Sequence, residues 1–405
     1  MKKLGFFALA LSLSALLLSA PALANNDKAN DKASTVTPQD PPPISDACLP
    51  PYKDYFEEKD QDKRYAKAKT FLSQCSKEDD YWLKGPRAFV KRIDLIKVNT
   101  KCADADKAFF GAPNEANLLG FMSACDMWIA KAPNPDMYYS TRIALGSGFG
   151  VLAGFYKDTA RGNSYTEKAL QNVSQTATPK DWTEATWATF RKDNTARLIQ
   201  YKGLYKLRQT PPDYPGAIKD FSDAAAIKDG AAIKDPNTYL LRAEAITESL
   251  YKKYDEEYNA LTEDEKRGEK GKAALANIYP VVARLANDYA RVMAVTEGQA
   301  IYKAIYDDSK IQSEEFYKFL KNGKTTGIEE LFKRFKADIG APDLEIKVEE
   351  SATPKSSIGK TGKKATATAP VGGTTAAPTA GGDATAKPAA TTAKTTAKPA
   401  PKKRK

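Results

Sequence analysis

The chain has 405 residues, 42% of them hydrophobic, with 62 Lys and Arg against 51 Asp and Glu and no histidine. The missing imidazole excludes Ser-His-Asp triads, Cys-His nucleophiles, histidine proton shuttles and histidine metal sites together. The net charge of +11 belongs to the two ends: residues 351–405 carry eleven basic side chains against Asp383 alone, while residues 25–350 balance to about −1, which argues against a basic nucleic-acid-binding domain.

Residues 1–24 have the pattern of a secretory signal peptide. Lys2 and Lys3 give a basic start, residues 4–18 an apolar run, and Ala22-Leu23-Ala24 a small-residue cleavage site. The run is shorter than the roughly 20 apolar residues a membrane span needs. No cysteine follows it for lipid attachment, and no later stretch is long and apolar enough to span. The expected product is a soluble exported protein, periplasmic or extracellular. Residues 25–47, which include PQDPPPISD, read as a flexible linker.

Residues 48–345 read as an all-α domain. Apolar groups recur three and four apart over 65–72, 118–129 and 274–295, the last with Pro280 expected in a first helical turn. Two-residue alternation is nearly absent, 344–348 being a short exception. Cys48, Cys75, Cys102 and Cys125 all lie in the first third, at gaps of 27, 27 and 23 residues. Zinc sites bring their ligands in close pairs, and these do not. An even number at wide spacing in an exported chain reads as two disulfides, with three pairings open. Each closure would constrain the unfolded chain by about 3 to 4 kcal/mol.

Four junctions share one chemistry: KEDDYWLKGPRA (77–88), KAPNPDMYYSTR (131–142), TPKDWTEATWAT (178–189) and IKDPNTYLLRAE (233–244). Each sets acidic or amide caps, a proline, or both around an aromatic residue that opens a new helix. Junctions of this kind in series point to antiparallel helix pairs. Between two of them, LGSGFGVLAGF (145–155) lacks dinucleotide-binding glycine spacing and has no strand before it. It reads as a helix with a small-residue face closely approached by a neighbour, since each interior Gly costs about 1 kcal/mol relative to Ala. The GKT tripeptides at 323–325 and 359–361 fail as phosphate loops, because Lys318 and Pro354 stand where the loop needs glycine. Glu248-Ser249 matches the Glu-Ser of bacterial transglycosylases, but no Gly-Leu-Met-Gln segment follows.

The stretch 213–227, DYPGAIKDFSDAAAI, follows a helix ending in Gly203-Leu204-Tyr205 and precedes Asp235-Pro236-Asn237. It resembles the tetratricopeptide repeat. Gly203 matches the packing glycine of the first helix, Ala217, Phe221 and Ala224 the small-aromatic-small positions of the second, and Asp235-Pro236-Asn237 the terminal proline turn. The stretch from Gly203 to Ala217 is two residues too long, KDGAAIKDP inserts about seven, and the other junctions keep no period of about 34 residues. The resemblance covers about residues 196–250, and 60–145 more faintly. It implies an irregular tetratricopeptide-like solenoid that holds a protein or peptide partner. Arg197, Gln200 and Tyr201 then lie near the concave face; the alternative is Tyr201 as core and Arg197 as a solvated face.

Residues 346–405 read as a disordered basic tail of Ala, Thr, Pro, Gly and Lys. Lys402, Lys403, Arg404 and Lys405 are candidate contacts for an anionic envelope polymer. No catalytic, metal or cofactor-binding residues are assigned. The expected function is a non-enzymatic exported binding or scaffold protein of the cell envelope. The alternatives are a carboxylate-based envelope enzyme acting on glycans, or a structural protein tethered to the wall by its tail.

Overall fold

The computed structural model describes residues 41–349 apart from 133–136, 176, 180 and 181. The proposed signal peptide and Lys402, Lys403, Arg404 and Lys405 lie outside the described residues. Within them the chain is all-α and contains no strand, and no helix is long and apolar enough to cross a membrane. In chain order the helices are α1 (Leu49–Glu57), α2 (Gln61–Gln74), α3 (Asp80–Gly111), α4 (Glu115–Lys131), α5 (Met137–Leu152), α6 (Thr159–Val173) and α7 (Glu184–Arg208). They continue as α8 (Tyr214–Ala226), α9 (Pro236–Ile246), α10 (Lys252–Asn259), α11 (Glu263–Arg267), α12 (Glu269–Thr296), α13 (Lys303–Leu320) and α14 (Ile328–Ala337).

The junction chemistry does what its residue types allow. Asp79, Thr183 and Asp235 cap α3, α7 and α9, each side-chain oxygen accepting a backbone N–H of the first turn. A turn of π-helix over Thr247–Tyr251 joins α9 to α10. There Ser249 donates to Ala245 O and Glu248 pairs with Lys252, so the Glu-Ser dipeptide serves the helix itself. Pro280 sits inside α12 rather than in its first turn, because a charged segment from Glu269 extends the helix upstream. The carbonyl that Pro280 leaves without its usual donor belongs to exposed Ala276, where water can satisfy it.

From α1 to α9 each helix packs on its neighbours in the chain, and in addition α5 packs on α7 and α7 on α9. These three form a layer against which α6 and α8 stack. After α9 the chain closes onto α12, which packs on α9, α13 and α14. The interior follows the same order. A small core surrounds Cys48, Phe71, Cys75 and Leu83; a large one runs from Cys102 to Ala245; a third runs from Ala243 to Ile346. Cys48–Cys75 and Cys102–Cys125 are the disulfides, one of the three pairings that spacing left open.

The small-residue face of α5 is packing. A Cβ on Gly148 would lie 2.2 Å from the ring of Tyr201 on α7, and one on Gly146 would lie 2.8 Å from Phe109. Gly203 similarly faces Phe221, which is fully buried with Ala217 and Ala224.

The folded unit is longer at both ends than residues 48–345. Trp82 Nε1 donates to Pro42 O at 2.9 Å, and Ile44 packs on the core around Cys48. At the other end Ile346 is buried and the Glu349 N–H donates to Leu320 O at 2.8 Å. The alternation over 344–348 is that of an extended strap. Leu344, Ile346 and Val348 pack on the third core, Glu345 and Lys347 face water, and no strand pairs with it.

Candidate binding site

Charged side chains inside a helix stack must be paired, and here the pairs tie successive helices together. Arg197 on α7 reaches Asp235, the cap of α9, and also donates to Gln200 Oε1 at 2.9 Å. Gln200 Nε2 donates to the same Asp235 oxygen at 3.0 Å, while the other oxygen caps Asn237 N–H at 2.9 Å. Asp235 thus saturates both of its oxygens at the joint between two helix pairs. Tyr201 leaves this cluster and packs its ring on Gly148; burial pushes its hydroxyl pKa up to about 12. Gln200 is 1% exposed and Tyr201 4% exposed. Of the three residues expected on a partner face, two therefore present no surface, and the Arg197 guanidinium is engaged within the fold. Tyr201 is core.

A second set lies where α8, α9 and α12 meet. Arg242 on α9 grips Asp288 on α12 through Nε, at 3.0 Å, and Nη2, a two-pronged pair with a fully buried carboxylate. Arg291, one turn further along α12, is 3.5 Å from Asp288, pairs with Asp343 at 2.7 Å, and donates to Ala341 O at 2.8 Å. Its guanidinium also lies 4.0 Å over the Phe335 ring.

Arg284 differs from both. It is half-buried on the same side of α12, yet it forms no ion pair among the described residues. Its hydrogen-bond partner is Ser222 on α8, which accepts from Nη2 at 3.1 Å. Ser222 also accepts from Arg242 Nη1 at 3.4 Å and spends its own hydrogen on Ile218 O at 2.7 Å. Burial first, and the neighbouring Arg242 guanidinium second, hold the Arg284 pKa below its ordinary value. Three guanidinium groups here face two carboxylates, Asp288 and Asp343.

The apolar spacing of 274–295 masks Arg284 in the sequence. The missed signal is a polar stripe of Arg284, Asn287, Asp288 and Arg291, spaced as one helix face on an otherwise apolar helix. Among the described residues no cluster of metal-ligating side chains is present. Comparison with family models, with curated proteins and with solved structures yields no match.

Proposed function

We propose that this chain is a non-enzymatic binding or scaffold protein, exported to the cell envelope, that holds a protein or peptide partner on a helical-repeat surface. The observation that carries this reading is the order of packing: α5, α7 and α9 in one layer with α6 and α8 stacked on it, as divergent tetratricopeptide-like pairs would stack. The close approach of Phe221 to Gly203 and the Asp235 cap of the following helix support the reading. Two disulfides and no membrane-spanning helix among the described residues are compatible with export.

The test is capture of partners from envelope extract by the mature protein, with and without residues 351–405. A specific protein retained by both forms supports a partner site on the helical unit. Retention of nothing by either form would sink the proposal.

A further inference from the structure

We infer that Arg284, with Ser222 and Arg242 beside it, pairs with a carboxylate side chain of the bound partner, an inference that rests on the binding-module reading. A half-buried cation without a counter-ion is an expensive feature to retain in a fold. Every neighbouring charge is otherwise matched: Arg242 to Asp288, and Arg291 to Asp288 and Asp343. The charges around Arg284 are Arg242 and Arg291 against Asp288 and Asp343, which cancel and leave the charge of Arg284 itself in excess. A singly charged acid completes that balance, whereas a phosphate dianion overshoots it.

The geometry of the donors fits the same ligand. Ser222 accepts one N–H of Arg284 and so fixes the plane of its guanidinium, leaving the other N–H groups of the fork for an incoming acceptor. Arg242 is locked in place by Asp288, which keeps a second positive charge beside the site without making it available for pairing. Ser222 has no hydrogen to offer the ligand, since it donates to Ile218 O; its role is positioning. The cluster therefore reads a planar acid through Arg284, as found on Glu or Asp in an acidic peptide segment.

The experiment titrates the full mature chain at low salt with a capped peptide carrying two adjacent glutamates, with its glutamine counterpart, and with inorganic phosphate. The glutamate peptide is expected to bind and to raise the thermal midpoint of the helical unit, and the glutamine peptide to do neither. Arg284→Gln should weaken binding about tenfold or more while leaving the ligand-free midpoint unchanged or higher, because it removes a repelled charge. Alanine at Lys402, Lys403, Arg404 and Lys405 should leave the midpoint shift intact. Equal binding by Arg284→Gln, loss of the shift on changing the tail, or a lower ligand-free midpoint for Arg284→Gln overturns the inference. Tighter binding of phosphate than of the peptide overturns the carboxylate assignment. If Arg284→Gln still captures the envelope partner at full yield, the Arg284 inference fails while the binding reading stands. If the wild-type chain captures nothing, the broader reading fails first.

Discussion

Asn287 clasps Leu344 as a neighbouring strand would. Its Oδ1 accepts the Leu344 N–H at 2.7 Å and its Nδ2 donates to the Leu344 carbonyl at 3.2 Å and to Ala283 O at 2.8 Å. One amide side chain, 1% exposed on α12, thus supplies both partners that an isolated extended segment lacks. Arg291 on Ala341 O and Arg334 on Pro342 O extend the same device along the strap.

Asn287→Ala strands the N–H and the carbonyl of Leu344 at a partly buried site. We expect a loss of about 2 to 4 kcal/mol in urea unfolding, with faster amide exchange at Leu344. Asn287→Asp keeps an acceptor but buries a carboxylate against the carbonyls of Leu344 and Ala283, so it should cost at least as much as alanine. A loss under half a kcal/mol for the alanine change would show that water replaces the clasp freely.

Two Gly→Ala substitutions should move stability in opposite directions. At Gly148 the new methyl meets the Tyr201 ring at 2.2 Å, so the α5–α7 contact must open. The expected loss is about 2 to 4 kcal/mol. At Gly120, exposed within α4, nothing lies within 4 Å. There alanine should add roughly 0.5 to 1 kcal/mol through helix propensity. Denaturant midpoints of the two variants compare directly.

Peptide mapping without reductant should recover the linked pairs Cys48–Cys75 and Cys102–Cys125 and no crossed pair. Replacing either pair by alanine should lower stability by about 3 to 4 kcal/mol in the loop-entropy estimate. The Cys102–Cys125 change should disturb the large core around Phe121 and Trp128, and the Cys48–Cys75 change only the first helices.

Glu265 makes one part of the acid response assignable. Its carboxylate accepts from Lys270 Nζ at 2.7 Å and from the Thr262 N–H at 3.0 Å, closing the box at the start of α11. Lys270 first, then Thr262, bring its pKa from 4.5 down to about 2. The folded chain therefore holds this proton less tightly than the unfolded one. The resulting stability is present above pH 4.5 and is lost as pH falls from there through about 2. A carboxyl NMR titration should place Glu265 near 2, and Glu265→Gln should flatten that part of the acid limb.

Local rules were written plainly in this sequence. Asp79, Thr183 and Asp235 cap because short oxygens before a helix can do little else, and Ala217, Phe221 and Ala224 pack because nothing about them is polar. The ends of the unit were harder to see. Pro42 is held by an indole forty residues away and Ile346 by helices far upstream, relationships that no local composition encodes. The site was hardest. Arg197 and Arg242 look alike in sequence, and only the third dimension shows that each has its acid while Arg284 has none.

The strap also fixes how the protein would bear load. Residue 350 continues from Glu349, which is held by the Leu320 carbonyl and by Lys321 and Lys324. Any tension on the basic segment beyond therefore enters at the end of α13 and peels the strap backward, from Glu349 to Leu344 to Asp343 and Ala341. Force would meet these fastenings one at a time rather than together. The helix stack behind them would stay intact until the Asn287 clasp gave way.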